Sequence, residues 1–319
     1  MPSFEEFFEY VKKNILSYMP EEYQACEVRT TKRIKENDLQ LEGFSLLREG
    51  KEVQGAPLFY VNQYYSEYLQ HNDIEKTMKN IAEEYIAHDK SMRTMPNINI
   101  FDYELVKEYI AYEIVNARFS NEYLKTVVHE TEADLAKVYQ ILFLGEQGAM
   151  GIRISEEIFS HWNISREELA RIADENMQHK MPAVFISAVD KTLEKLDFPL
   201  EARDALRLQP EKDLYILTTE APIEGAAAIF YPGMMDMIHD YIGQDFYIIP
   251  VSKHEVFITS KSNIDAQRYG EELRKGNNRF HRTDEILSDC IYAYSKKTGH
   301  IEAVPESMPK LLKMRGIER

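Results

Sequence analysis

Cysteine is scarce in this sequence: only Cys26 and Cys290 occur among 319 residues, and there is no CxxC motif. A disulfide framework needs several cysteines, and a thiol-rich zinc site needs three or four, so both are excluded. We expect two free thiols, which are typical of a protein in a reducing, cytoplasmic compartment.

Long apolar runs are absent as well. No stretch reaches the roughly 18 apolar residues that a membrane-spanning helix requires. The first ten residues, MPSFEEFFEY, carry acidic rather than basic side chains, unlike the start of a signal peptide. We therefore expect neither a membrane anchor nor a signal peptide.

Basic residues are outnumbered: 38 Lys and Arg stand against 54 Asp and Glu, which gives a formal net charge of -16. A chain of this sign repels phosphate backbones, so we expect no general nucleic-acid binding without a local basic patch. The hydrophobic fraction of 44% and the charged fraction of 29% are those of a globular chain and exclude wholesale disorder.

The N-terminal third is predicted to be helical around a small hairpin. Ser3 and Glu6 have the spacing of a capping box, and the apolar residues behind them recur on one helix face until Pro20. The charged, β-branched run 27–34 and the alternation after residue 39 predict a β-hairpin. Further helices are predicted to begin near Pro57, Asp73 and Asp102, the last one including Leu105, Tyr109 and Tyr112.

Strands are more frequent in the rest of the chain. Short connections between neighbouring strands favour antiparallel pairing, and no regular βαβ alternation occurs. We expect an α+β fold in which helices pack on antiparallel sheets, with a helix-rich lobe over 1–122 and an α+β lobe over 123–319, packed together as one unit. The predicted strands are 135–144, 152–154, 214–219, 225–231, 245–251 and 255–259, followed by a hairpin over 291–303.

The most suggestive catalytic pattern lies at residues 252–255, where Ser, Lys, His and Glu are consecutive. On a strand, the Cα atoms of Ser252 and His254 are about 6.5–7 Å apart, whereas a nucleophile and its base need about 2.6–3.2 Å between heavy atoms. Catalysis would require a turn that closes this gap. The alternative interpretation is a strand-edge turn whose polar side chains satisfy backbone groups.

A hydrolase or transferase site assembled from distant segments is one of two functional hypotheses. His254 would be its centre, and Ser252, Glu255 and His129 are the other candidates, because catalytic groups are often far apart in sequence. Local motifs give it no support. HETEA at 129–133 lacks the second histidine of HExxH, and no GK[ST] follows the glycines of 145–151.

No metal or cofactor is expected. Asp236, His239 and Asp240 would share one helix face, which in principle suits a divalent metal with a further ligand. The apolar stripe of the same helix leaves the acids on its outer side, so a solvated face is the favoured interpretation.

Tyrosine is abundant where the helices are predicted. Eight of the 20 tyrosines lie between residues 60 and 112, and tyrosine supplies rigid contact area with a hydroxyl, as in protein interfaces. Helical spacing also suits ordinary core packing, although Tyr64 and Tyr65 cannot both face inward. The candidate binding residues are Tyr60, Tyr64, Tyr65 and Tyr68. We therefore favour a non-enzymatic protein-binding module, which could also receive a partner's strand at an open sheet edge.

Several blocks of sequence, spread nearly end to end along the chain, form a recognisable pattern. They include Lys35-Glu36-Asn37-Asp38, Pro57 with the tyrosines behind it, Trp162, Ala173 with Asn176, Gly225-Ala226-Ala227 and 250–255. These blocks resemble an uncharacterised bacterial family of unknown function found in gut anaerobes. The chain departs from the family pattern at Val128, where a proline is expected, and at Val251, where a second serine is expected. The resemblance implies a bacterial, cytoplasmic setting and carries no assigned activity.

Overall fold

The computed structural model describes residues 2–48, 56–94, 98–145, 148–195, 214–221, 223–280 and 285–308. Two units emerge, the first formed by Met1–Ile98 with Gly145–Gly148, and the second by Asn99–Leu144 with Ala149–Arg319. This division falls at residues 98 and 99, whereas the lobes expected from the sequence meet at 122 and 123. The basic, apolar tail 310–315, a candidate for docking on a partner or on the chain itself, lies outside the described residues.

The described residues of the first unit contain three α-helices and a three-stranded antiparallel sheet. The strand order is β1-β2-β3, and β1 pairs with β2 along its whole length, from Glu27 opposite Leu47 to Lys35 opposite Leu39. The predicted hairpin is therefore confirmed. The elements are α1 (Phe4–Asn14), β1 (Glu27–Lys35), β2 (Leu39–Leu47), β3 (Phe59–Tyr60), α2 (Asn62–His71) and α3 (Ile74–Thr94).

The core of the first unit follows from the apolar face of α1. The predicted capping box is present, since the Ser3 side chain accepts from the Glu6 amide and the Glu6 carboxylate accepts from the Ser3 amide. Phe7, Val11 and Ile15 then pack in the core because they are three to four residues apart. Burying each such side chain contributes about 1.5–3 kcal/mol.

A four-stranded sheet opens the second unit, and its pairs β4–β6 and β5–β6 are antiparallel. Its order is β4-β6-β5, with β7 also pairing with β6, and helix α7 packs on β4. Its elements are α4 (Tyr103–Val106), β4 (Ile110–Asn116), α5 (Asn121–Leu124), β5 (His129–Glu132), β6 (Leu135–Gly145), β7 (Gly148–Arg153), α6 (Glu156–Trp162) and α7 (Arg166–Lys180).

The larger sheet of the second unit has six strands in the order β13-β12-β10-β11-β9-β8. Every pair in it is antiparallel, so the expected α+β class with antiparallel sheets is confirmed. Its elements are β8 (Ala183–Ser187), α8 (Ala188–Lys195), β9 (Leu214–Thr219), α9 (Met234–Ile242), β10 (Phe246–Ser252), β11 (Glu255–Ser260), α10 (Ala266–Phe280), β12 (Tyr292–Ser295) and β13 (His300–Ala303).

Three sequence-based element predictions are wrong. The helix capped by Asp102 ends at Val106, and Tyr112 lies in the fully buried strand β4, which pairs with β6. The helix expected from Pro57 begins only at Asn62, because Phe59 and Tyr60 first pair with β2. The strand expected at 225–231 is a buried 3₁₀ helix, in keeping with the weak strand preference of its three alanines.

No helix within the described ranges is both long enough and apolar enough to cross a membrane.

Candidate functional site

The predicted catalytic residues at 252–255 form the tip of a hairpin. Strands β10 and β11 are joined there by a two-residue turn, Lys253–His254. The His254 amide donates to the Ser252 hydroxyl over 3.1 Å, and the Glu255 carboxylate accepts from Lys191 over 2.8 Å. The Ser252 hydroxyl is thus engaged with the backbone, as in a strand-edge turn.

The carbonyl side of this turn is packed equally closely. Thr218 donates its hydroxyl to the His254 carbonyl oxygen over 2.8 Å. Gly225 lies against the His254 carbonyl oxygen and the Thr218 hydroxyl. A Cβ at this position would be less than 3.0 Å from each of them, which is closer than non-bonded atoms can approach. The glycine is therefore required by the close approach of two backbone segments.

We expect Gly225→Ala to lower the free energy of unfolding of the second unit by about 2 kcal/mol, because backbone atoms must move to admit the methyl group. Denaturant unfolding followed by the fluorescence of Trp162, the single tryptophan, measures it. Gly276→Ala is the matched control, since its Cβ would meet nothing within 4 Å. Equal midpoints for the two variants would contradict the packing argument.

His129 lies on a different sheet from His254. It occupies the first position of β5, paired with Val138 of β6, and its Nδ1 is 3.1 Å from the Val127 carbonyl oxygen. A small, partly open pocket lies between β4, β6 and the end of α7, and none of the four predicted catalytic residues lines it. The hydrolase or transferase hypothesis thus gains no shared pocket from the described residues.

Three of the four candidate binding tyrosines belong to the packing of the first unit. Tyr64 is buried and donates to the Glu84 carboxylate, Tyr65 donates to the Pro2 carbonyl oxygen over 2.9 Å, and Tyr68 packs on that core with its ring stacked on Phe7. Tyr60 differs, because it is half-buried on β3 with the Lys35 ammonium 5.0 Å from its ring centre.

The helix face of Asp236, His239 and Asp240, for which a metal was considered and a solvated face favoured, is engaged in other contacts. Asp236 accepts from the Tyr294 hydroxyl over 2.7 Å, and Asp240 accepts from Lys296. The hydrogen bond from Lys296 lowers the pKa of Asp240, so this exposed carboxyl is ionised at neutral pH. Among the residues that the structure describes, no cluster of three His, Cys, Asp or Glu side chains has the geometry of a metal site.

A partly exposed aromatic cluster lies in the second unit, where Tyr241 of α9 contacts rings on β8 and β9. Phe185 stacks on Tyr215 with 4.9 Å between ring centres, and Tyr241 meets both edge-on at 5.6 Å. Tyr241 is nevertheless 67% exposed, and Met237, one turn earlier, is 52% exposed. We call Phe185, Tyr215, Met237 and Tyr241 the β8–α9 surface.

The edge of the six-stranded sheet adjoins the β8–α9 surface. Strand β8 is terminal, and in the described part of the chain it pairs only with β9. The Glu220 amide donates to the Pro182 carbonyl oxygen at the start of this pairing. Because antiparallel bonding alternates along a strand, Ala183 and Phe185 direct their N–H and C=O groups away from β9, toward the open edge.

Sequence reasoning missed this surface, although one signal was present. The apolar stripe of α9 contains Met235 and Ile238, which are buried. Met237 and Tyr241 are four residues apart and lie off that stripe, so they are two large apolar residues on the solvent-facing side. Strand β8 gave no such signal, because AVFIS is too short a run to separate a strand from a buried helical segment.

Comparison with known proteins identifies the family of this chain. No curated protein and no solved structure matches the chain. Residues 4–296 match the sequence pattern of one protein family, whose description is "Family of unknown function". The resemblance inferred from the sequence is thereby confirmed, while its gut-anaerobe setting stays a prediction. The chain belongs to this family of unknown function, DUF5688.

Proposed function

We propose that this protein is a cytoplasmic, non-enzymatic protein-binding module. On this proposal the β8–α9 surface binds an extended, apolar segment of another protein, which adds to β8 as a further strand. The observation that carries it is the partly exposed aromatic cluster beside an open sheet edge. The buried, free thiols of Cys26 and Cys290 are in keeping with a reducing compartment.

The side chains of the surface are of the kind that anchors interfaces. Aromatic residues and methionine are enriched in interface cores, and tyrosine is frequent among the residues whose truncation costs most binding energy. Because Tyr241 is already held by Phe185 and Tyr215, little side-chain entropy is lost when a partner covers it. The outward N–H and C=O groups of β8 supply the main-chain hydrogen bonds of strand addition.

Charge defines the partner. Edge strands are commonly protected by charged residues, but Ala183–Ser187 contains none. The chain as a whole has a net charge of -16, so a segment with basic residues on either side of its apolar part fits best. A second copy of this chain fits poorly, because two chains that each have a net charge of -16 repel one another.

We expect Tyr241→Ala to weaken binding about tenfold or more, because it removes the most exposed anchor of the surface. The probe is a fluorescent, strand-length peptide of alternating Ile and Thr with Lys at both ends, and fluorescence anisotropy with the full chain measures its affinity. Tyr269→Ala is the matched control, since Tyr269 is 41% exposed on α10, away from β8. Amide hydrogen exchange should also slow at Phe185 when the peptide binds.

Three results would overturn the proposal. The first is equal affinity of the Tyr241→Ala and Tyr269→Ala variants. The second is equal binding of a peptide with Glu in place of its terminal Lys residues, because the negative charge of the chain would then play no part in binding. The third is a dimer in sedimentation of the chain alone that Tyr241→Ala dissociates, since the surface would then bind a second copy.

A further inference from the structure

A second exposed edge lies in the first unit, on strand β1. Strand β1 is terminal in its sheet, and within the described ranges it pairs only with β2. It is nine residues long, and none of the nine is buried. Unlike β8, it is rich in charge.

The charges of β1 are mostly positive and lie largely on one face. Val28 packs toward the core of the first unit, and side chains alternate between faces along a strand. The opposite face therefore carries Glu27 and then, at every second position, Arg29, Thr31, Arg33 and Lys35. Arg29 and Arg33 are exposed, in a chain whose net charge is -16.

The same face carries apolar groups. Arg33 pairs with Leu41 of β2, and Gly43 of β2 pairs with Tyr60 of β3, so both partners lie on the face of Arg33. The ammonium of Lys35 sits over the Tyr60 ring, which holds this side chain along the sheet. We call Arg29, Arg33, Lys35, Leu41 and Tyr60 the β1 surface.

We infer that the β1 surface binds an acidic, extended segment of a second protein, which adds to the open edge of β1 as a further strand. Opposite charges placed across two strands stabilise their pairing, and like charges oppose it. The arginines of β1 therefore oppose pairing with basic strands. Arg33 and Lys35 are about 6.5–7 Å apart along β1, and acids at every second position of an added strand have the same spacing, so each acid can lie opposite one of these two cations.

The geometry favours a polypeptide over a nucleic acid. An unpaired strand edge offers alternating N–H and C=O groups, which complement a peptide backbone. A phosphate backbone would use only the cations, and Glu27 lies 3.7 Å from Arg29 at one end of the positive stripe. Repulsion by the remaining acidic chain adds to this limit.

This inference is independent of the proposed function of the β8–α9 surface. The two surfaces belong to different units and have opposite charge preferences. A module that holds both partners would bring together two different proteins.

The test uses the full chain and a fluorescent strand-length peptide of alternating Glu and Val. We expect Arg33→Glu to weaken its binding about tenfold or more, because attraction is replaced by repulsion across the strands. Lys79→Glu is the matched control, since it changes the net charge equally at an exposed position of α3. Binding should weaken as salt is raised, as expected for exposed charges.

Several outcomes would overturn the inference. One is a Lys79→Glu variant that binds as weakly as Arg33→Glu, because then net charge alone matters. Another is equal binding of a peptide with the same composition in which all acids are clustered at one end. A third is displacement of the peptide by single-stranded oligo(dT) with an affinity that depends on Arg33, which would assign the surface to nucleic acid.

Cross-measurements separate this inference from the proposed function. Tyr241→Ala should leave binding of the acidic peptide unchanged, and Arg33→Glu should leave binding of the Lys-flanked peptide unchanged. If the wild type binds only one of the two peptides, only the proposal for the other surface is wrong. Hydrogen exchange of the β1 and β2 peptides in each variant shows that the first unit is still folded.

Discussion

Replacing Glu113 by alanine should lower the free energy of unfolding of the second unit by about 3–5 kcal/mol, the cost of breaking a buried ion pair. Glu113 lies in the middle of strand β4 and is only 2% exposed. Its two carboxylate oxygens accept from Arg153 of β7, one from Nε over 2.6 Å and the other from Nη2 over 2.8 Å. The variant removes both of these charge-assisted hydrogen bonds from a guanidinium that is only 27% exposed.

Two further groups make this network sensitive. The Tyr123 hydroxyl donates to the same carboxylate over 2.9 Å, and Arg153 also donates to the Gln140 side chain over 3.3 Å. Removing the carboxylate therefore also removes the hydrogen bond that Tyr123 donates, and a hydrogen bond to a charged group contributes about 1.5–3 kcal/mol. Glu113→Gln keeps one acceptor oxygen, so its loss of stability should be smaller.

Fluorescence of Trp162 follows this unfolding, because the indole is buried and donates to the Ile100 carbonyl oxygen within the second unit. Glu156→Ala is the matched control, since Glu156 is 61% exposed and pairs with the exposed Arg166. Such a surface pair contributes at most about 1 kcal/mol. Similar midpoints for the Glu113 and Glu156 variants would contradict a structural role of the network.

Strand β4 also shows why part of the fold was hidden in the sequence. Tyr109 and Tyr112 are three residues apart behind a capping aspartate, which is a helical pattern. The pairing of β4 with β6 is non-local and overrides it. Glu113 is an acid in the middle of a fully buried strand, so it does not fit the alternation of apolar and polar residues that predicts a strand. Its counter-charge, Arg153 of β7, is 40 residues away, and no neighbour in the chain indicates this pairing.

Elements with local signals were predicted well. The capping box of Ser3 and Glu6 is made by neighbours in the chain, so the sequence alone determines it. The hairpin β1–β2 was predicted because its strands are joined by a short turn at Glu36–Asp38. Such signals need no knowledge of distant contacts.

The two candidate surfaces could be predicted only in part from the sequence. Tyr60 was singled out, and it is the one of the four tyrosines that lies on the β1 surface. The β8–α9 surface joins Phe185, Tyr215 and Tyr241, which come from three separate segments. No spacing rule relates such segments, so their meeting follows only from the strand order of the sheet.

Replacing Asp89 by alanine should have the largest effect on the first unit, a loss of about 3 kcal/mol. Asp89 of α3 is 4% exposed, and it accepts from the Tyr23 hydroxyl over 2.6 Å, from Arg48 over 3.1 Å and from Arg93 Nε over 3.0 Å. The expected loss is at the lower end for buried pairs because Arg93 is 42% exposed and its charge can be hydrated.

Hydrogen exchange of α3 and β2 peptides measures this loss, since the single tryptophan belongs to the second unit. Glu9→Ala is the matched control, because the Glu9–Lys12 pair is exposed on α1. If α3 exchanges equally fast in the Asp89 and Glu9 variants, the buried carboxylate does not hold Tyr23, Arg48 and α3 together.

The same carboxylate should make the first unit sensitive to acid. Burial raises the pKa of Asp89, but hydrogen bonds from Tyr23, Arg93 and Arg48 outweigh it, so the pKa lies below the ordinary value. Its contribution to stability is therefore fully present above the ordinary carboxyl pKa of about 4 and is lost as the pH falls through the lower, folded value. Asp89→Asn cannot titrate, so acidification below about pH 4 should erode the stability difference between the wild type and this variant. A difference that stays constant down to pH 2 would show that Asp89 keeps no depressed pKa in the folded chain.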